Sequence, residues 1–321
     1  MQELKRFFIA SYCVFLLTSV VSAETTARIG VPGALTASIP IYIGRKVGIF
    51  AKHGLFAEPI LTRNEQMNTQ ALASGSVQYS ISSPTGLFYL ARQGGDVVGI
   101  ASWNNSSPYS LGTGFKIKDL KELKGRKIAS SGAGGRADAF IRFMLTKVGL
   151  DPKRDAQIVS LSGGSGVRLA AVVSGNIDAT LISSSQEKHA EKLGLTVIPI
   201  PMEYIQGVVV TQRTYLEKNR GLVKAFLQGL SQSVQAMVSD KKTALSVMQS
   251  VLRIEDPEAL ESAYEVLRSN AVPSLIPTEQ GIINVLKTMS YEDPAFASIP
   301  AFKYFDLSLV EELKTERGQG R

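Results

Sequence analysis

Two stretches decide how this chain folds: ALASGSVQYSISS at residues 71–83 and AAVVSGNIDATLIS at residues 170–183. Each reads as the end of a helix, a Ser-Gly turn and a short strand that stops at a serine. Ser74-Gly75 stands one hundred positions before Ser174-Gly175. Two further landmarks keep nearly that offset: Arg28-Ile29 with Lys127-Ile128, and Lys46-Val47-Gly48 with Lys147-Val148-Gly149. Near-constant spacing of three landmarks means that one supersecondary unit is written twice.

Around the first copy, ARIGVPG reads as a strand ending in a Pro-Gly turn. SIPIYIGRKVGIFAKHG reads as a helix opened by Ser38 and Pro40 and closed by Gly54. A strand near Glu58–Thr62, the helix EQMNTQALASG, the strand VQYSIS, the helix PTGLFYLARQGG and the strand VVGIASW follow. From Gly125 the alternation restarts with GRKIASSG, RADAFIRFMLTKVG, AQIVSL, GVRLAAVVSG and ATLIS. Strands alternating with helices of about ten residues imply parallel βαβ units, here in two α/β lobes. WNNSSPYSLGTG, between the copies, and PIPMEYIQGVVVTQ, after the second, read as crossovers between the lobes. From about Thr214 onward the sequence is helical, with apolar stripes that serve as packing for the first lobe and as a brace across the back. The division expected is 24–103 with 212–321 as lobe one, 114–203 as lobe two, and hinge crossovers at 104–113 and 204–211.

The first residues, MQELKRFFIASYCVFLLTSVVSAETT, combine Lys5 and Arg6, an apolar run from Phe7 to Val21 and the small-residue ending Val21-Ser22-Ala23. That is the pattern of a secretory signal peptide over residues 1–23, cut before Glu24, and it implies a periplasmic protein. The run is shorter than the roughly twenty residues a membrane span needs. Cys13, the only cysteine, lies inside it, so the mature chain is expected to be thiol-free. The net charge of +7 is mild, and its bases are scattered without interleaved aromatics. Nucleic acid is therefore not an expected partner, whereas a general affinity for anions is.

In open parallel sheets, ligands sit beyond the carboxyl ends of strands, where helix N-termini present unpaired N–H groups. That rule selects the loops carrying Thr36 and Ser38, Ser82 and Ser83, Gly134, Gly135 and Arg136, and Ser183 and Ser184. Arg136 follows SSGAGG and opens a helix, where a guanidinium fork suits a carboxylate, sulfonate or phosphate; the plainer reading pairs it with Asp138 on the surface. Trp103 and Asn104, at the start of the first crossover, and Tyr204, at the second, are further candidates, although a lone tryptophan is more often core. The glycine runs SGAGGR and LSGGSG lack the spacing of a dinucleotide loop, and the second reads as a flexible turn. His53 and His189 read as exposed helix residues, and no metal-ligand or hydrolase motif is present. No cofactor, no metal and no catalysis are expected.

The runs PIYIGRKVGIFAKHGL, QALASGSVQYSISSP, LKELKGRKIA, FMLTKVGLDP, VRLAAVVSGNIDATLIS and GVVVTQRTYLEKNRGLVKAFLQGL together resemble the nitrate/sulfonate/taurine and thiamine-pyrimidine-precursor group of ABC-transporter substrate-binding proteins. The resemblance implies a two-lobed periplasmic binding protein fold of type II, a monomer that closes on a small, anionic ligand and docks on an ABC permease in the membrane. Members carry an acidic residue after the Ser-Gly turn in both lobes; Asp178 keeps it, and Gln78 replaces it. We read that acid as holding the turn into the strand, so the change leaves binding intact but loosens any assignment of the substrate. The pyrimidine-synthesising relatives use a cysteine-rich motif that a thiol-free chain lacks. Two other readings stay open: an exported sensor feeding a membrane receptor, and an enzyme on the same bilobal fold.

Overall fold

The repeated stretch is the same device in both places. Ser74 Oγ and Ser174 Oγ each donate to the carbonyl three residues back, at 3.1 Å. Gly75 and Gly175 follow with φ of 75° and 77°, a left-handed conformation that only glycine adopts without strain. The N–H groups of Val77 and Ile177 then return to Ala71 and Ala171, both at 3.2 Å. One residue later, the N–H of Gln78 donates to the Arg28 carbonyl at 3.0 Å and that of Asp178 to the Lys127 carbonyl at 2.9 Å. Each turn thereby delivers its strand alongside the first strand of its own unit.

A computed structural model describes residues 24–319 apart from 34–35, 106, 108, 133–135 and 162–163; the leader read at 1–23 lies outside the described residues. The first unit runs β1 (Thr25–Pro32), α1 (Ile39–Lys46), β2 (Leu55–Thr62), α2 (Glu65–Ala73), β3 (Tyr79–Ser82), α3 (Pro84–Arg92) and β4 (Val98–Ala101). After β5 (Ser110–Thr113), the second runs β6 (Lys127–Ser130), α4 (Arg136–Lys147), β7 (Gln157–Ser160), α5 (Gly164–Val173), β8 (Ala179–Ile182), α6 (Ser184–Lys192) and β9 (Thr196–Pro199). β10 (Val208–Thr211) precedes a helical tail: α7 (Arg213–Lys218), α8 (Arg220–Ser239), α9 (Lys241–Leu252), α10 (Pro257–Ser269), α11 (Glu279–Met289) and α12 (Ser308–Gln319).

The strands form two five-stranded sheets, ordered β2-β1-β3-β10-β4 and β7-β6-β8-β5-β9. Each sheet begins with three parallel strands. In each, the fourth position is filled by a strand that has just crossed from the other lobe and pairs antiparallel on both sides. The two-lobed α/β architecture expected from the repeat is thus present, with the lobes exchanging one strand each. Residues 110–113 and 208–211, read as parts of the crossovers, are these strands, and the backbone between the sheets is 102–109 and 200–207. Ser-Leu-Gly-Thr carries weak strand propensity, but all four residues are buried between β8 and β9, and that pairing outweighs the turn-like composition. The helix read across Ser38–Gly54 also ends early: α1 stops at Lys46, because Gly48 turns the chain left-handed.

α8 packs its buried face on α1 and the first sheet. Phe50 lies between Gly44 and Gly229, where an added Cβ would stand 2.6 Å from its ring in either case, and it stacks on Phe226 with centroids 5.7 Å apart. The tail also reaches lobe two. Lys192 on α6 pairs with Asp256 at 2.8 Å and with Glu258 at 3.4 Å, both at the start of α10. On α11, the Asn284 amide donates to the Glu203 carbonyl at 2.8 Å, and Ile282, Val285, Leu286 and Met289 share one buried cluster with Leu72 and Phe88 of lobe one and Phe140 and Leu145 of lobe two.

Candidate functional site

The carboxyl ends of β1 and β3 face that of β8 across the two crossovers. Between them lies a cavity of about 390 Å³, within the range of small-molecule sites, lined by Pro32, Thr36, Glu65, Ser82, Ser83 and Thr85 from lobe one, Ser183 from lobe two, and Tyr109, Tyr204 and Gln206 from the crossovers. Five residues picked out by sequence, Thr36, Ser82, Ser83, Ser183 and Tyr204, meet here. Tyr204 also packs edge-on against Phe140, with ring centroids 5.5 Å apart, which ties the second crossover to α4.

Ser38, Trp103 and Asn104 do not line this cavity. They are 0%, 1% and 4% exposed. Trp103 sits in the core of lobe one, and its indole N–H donates to the Ala37 carbonyl at 3.2 Å, holding the short turn that carries Thr36. The Asn104 carbonyl accepts the N–H of Gln206 at 3.2 Å, so one crossover is bonded to the other. Gly134 and Gly135 lie outside the described residues. Arg136 and Ser184 are the first residues of α4 and α6, which rise from the carboxyl ends of the adjacent strands β6 and β8, and their side chains lie outside what is described. Asp138, the surface partner considered for Arg136, is gripped by Arg142 through both carboxylate oxygens at 2.8 and 3.3 Å. Residues 164–166 of the run read as a flexible turn form the first turn of α5.

The serine N–H groups expected to point at a ligand are used within the chain. Glu65 Oε1 accepts the N–H of Ser83 at 3.1 Å, while Ser83 Oγ accepts the N–H of Gly86 at 3.2 Å. A Cβ on Gly86 would stand 2.6 Å from Glu65 Oε1, so the glycine makes room for the carboxylate over the first turn of α3. In lobe two, Gln186 Oε1 accepts the N–H of Ser183 at 3.2 Å, and its amide donates to Ser165 Oγ at 3.0 Å. The positions correspond at the offset of one hundred: Glu65 with Ser165, Ser83 with Ser183, Gly86 with Gln186. Each lobe therefore supplies one long acceptor to the same helix start, from α2 in lobe one and from α6 in lobe two. Ser82 Oγ bonds Ser80 Oγ at 2.6 Å, which in turn takes the Asn68 amide at 2.6 Å, linking the cleft wall to the interior of lobe one.

Glu65, Tyr109, Thr85 and Gln206 were not picked out by sequence. Glu65 reads as an ordinary first-turn acid after the cap Asn64, and its approach to Ser83 is tertiary; the offset of one hundred to Ser165 was the available signal. Neither histidine is among the described residues lining the cavity; His53 bonds Gln232 at 3.1 Å, on the far side of lobe one. Among the described residues no group of three or more His, Cys, Asp or Glu could hold a metal ion.

Comparison with known proteins agrees with this geometry. The model of the family described as NMT1/THI5 like matches residues 36–244. A Brucella abortus protein described as a binding protein is 24% identical over 290 residues, covering 87% of this chain and 89% of that one. A periplasmic sulfonate-binding protein from Methylobacillus flagellatus superposes with a TM-score of 0.73 at 18% identity, over 92% of this chain and 96% of its own. The periplasmic aliphatic sulphonate binding protein from Escherichia coli gives 0.67 at 18% identity, over 88% and 91%. The chain belongs to the NMT1/THI5-like family and has the two-lobed α/β fold of periplasmic binding proteins.

Proposed function

We propose that this protein is an extracytoplasmic solute-binding protein that captures a small molecule by its acidic group between the two lobes and delivers it to an ABC importer. The observation that carries this reading is the meeting of Ser83 and Ser183, each the cap of a helix from a different sheet, on one cavity spanned by two crossovers. A solute touching both walls favours the closed arrangement, because it gains contacts there that it lacks when the lobes are apart. The acidic group is favoured by the positive net charge. The sulfonate-binding proteins on the same fold supply the precedent for an anion and for an importer. The role is non-catalytic: the described lining offers hydroxyls, amides and one carboxylate, Glu65, which is engaged by the backbone N–H of Ser83.

Native mass spectrometry of the gently purified, exported protein, followed by thermal-shift measurement with nitrate, alkanesulfonates and small carboxylates, tests this reading. A retained or stabilising solute whose effect is lost on Ser183→Leu supports it. Absence of any such solute, or turnover of the one found, contradicts it.

A further inference from the structure

The basic excess of the chain falls on one lobe. Residues 114–203 carry fourteen basic and nine acidic side chains, whereas residues 24–103 and 212–321 together carry nineteen and eighteen. The bases read as scattered along the sequence are thus unevenly shared once the chain folds. Within lobe two they concentrate in the strap from Gly114 to Lys127, which joins β5 to β6 and holds six bases against two acids. The strap crosses the pole opposite the cleft: the N–H of Gly114 donates to the Asp178 carbonyl at 3.0 Å, at the amino end of β8, and Lys127 opens β6. Ile117, Leu120 and Leu123 are buried in the cluster that holds Phe140 of α4, which leaves Lys116, Lys118, Lys121 and Lys124 exposed in a row.

The acids at this pole are mostly occupied in holding it together. Asp119 accepts the N–H of Lys121 at 2.9 Å, and Glu122 accepts those of Lys118 and Asp119 at 2.9 and 3.0 Å. Asp155 faces Lys124 at 3.8 Å, Asp178 faces Arg126 at 3.5 Å, and Asp151 pairs with Arg154. Among the described residues no carboxylate stands within ion-pair reach of Lys116, Lys118, Lys121, Lys127 or Lys153. Glu203, beside Leu120 in the lining of a neighbouring cavity, marks the border. The acids that take Lys192 lie across the sheet: Ala190 of α6 clusters with Ala129 and the strap with Ile128, and successive residues of a strand face opposite sides.

None of the large exposed apolar residues belongs to the strap. A protein interface needs apolar anchors at its centre, which this face lacks. Lysines on flexible stems over a firmly anchored backbone suit a spread field of negative charge better than one bidentate partner. We propose that this pole of lobe two rests reversibly, by charge alone, on an anionic phospholipid surface. The contact concentrates the protein at the membrane and leaves the cleft, on the opposite side, free. It goes beyond solute capture and does not depend on it.

Co-sedimentation of the exported protein with vesicles tests the proposal. Binding is expected to vesicles of phosphatidylcholine mixed with phosphatidylglycerol at low salt, to be released by high salt, and to be absent with phosphatidylcholine alone. A triple variant, Lys116→Gln, Lys118→Gln and Lys121→Gln, is expected to bind at least about tenfold more weakly. A second triple variant, Lys218→Gln, Lys242→Gln and Lys287→Gln, removes the same charge from exposed positions of the helical tail and is expected to bind as wild type. No binding of wild type to the mixed vesicles overturns the proposal, as do equal losses in the two variants or binding that high salt leaves intact. Solute binding by all three proteins, measured by calorimetry, is expected to be the same, so failure here leaves the solute-binding function standing.

Discussion

The side-chain oxygen of Gln78 accepts the backbone N–H of Arg28 at 3.0 Å, in the place that Asp178 takes toward Lys127 at 2.8 Å in the other lobe. With the backbone bonds running the opposite way, each residue clamps the start of its strand to the neighbouring strand by two bonds. An amide oxygen can take this neutral N–H as a carboxylate does, although Asp178 also faces the Arg126 guanidinium at 3.5 Å. Both clamps lie at the amino ends of β3 and β8, away from the carboxyl ends that form the cleft. The exchange of acid for amide at position 78 thus falls in a strand clamp away from the cleft.

Gln78→Ala is expected to destabilise the protein by about 1 kcal/mol, the usual net worth of one hydrogen bond, and Gln78→Asp to restore it. Urea denaturation measures the loss, and calorimetry with a bound solute is expected to show unchanged affinity. A large loss of affinity with intact stability would contradict the structural role.

Gly229→Ala sets two effects against each other. Alanine gains about 1 kcal/mol of helix propensity over glycine, but the new methyl would stand 2.6 Å from Cδ1 of Phe50, and overpacking costs about 1–3 kcal/mol. Phe50 is fully buried and stacked on Phe226, so it cannot yield, and the net result expected is destabilisation. Adding Phe50→Leu to Gly229→Ala is expected to recover part of the loss in the same denaturation experiment.

The repeat, the alternation of strands and helices and the two lobes were legible in sequence because glycine turns and periodicity are local. The β-branched run at 208–211 also read as a strand of the return crossing, whereas 110–113 did not read as a strand: it becomes one only because it finds partners on both sides in a sheet it enters from the other lobe. Thr36, Ser82, Ser83 and Ser183 could be placed at the cleft from their positions after strands, whereas Glu65 could not, since its contact with Ser83 spans a helix, a turn and a strand. Trp103 was legible as core or ligand platform alike, and burial decides for core.

Lys192 holds the Asp256 carboxyl below the usual carboxylate range, aided by the Glu258 N–H. A carboxyl lowered in the folded state contributes stability above its ordinary pKa, and that contribution is lost as pH falls through the folded value. Asp256→Asn retains an N-cap for α10 and removes the charge. The stability difference between wild type and variant is expected to be present at about pH 7 and to be lost progressively as pH falls below the ordinary carboxylate range. Both side chains are about half exposed, so the difference is small and falls further in high salt. A difference independent of pH would assign it to the cap instead.

Trp103→Phe keeps an aromatic ring in the core but leaves the Ala37 carbonyl without its indole donor. The Thr36 turn is then less firmly held, and solute affinity is expected to fall about fivefold, equivalent to roughly 1 kcal/mol, although Trp103 touches no solute. Calorimetry checks the affinity. A loss of a hundredfold or more would mean that the indole itself meets the solute.

Capture between two lobes is tested most directly by the distance across the cleft mouth. Met67 and Val167, equivalent positions in the first turns of α2 and α5, are 46% and 47% exposed, and the only cysteine of the chain, Cys13, lies in the stretch read from sequence as a leader. Spin labels on Met67→Cys and Val167→Cys in the exported protein report that distance by pulsed electron resonance. With a solute that calorimetry shows to bind, the distance distribution is predicted to become shorter and narrower than in the empty protein. A stoichiometrically bound solute that leaves the distribution unchanged would contradict capture by closure.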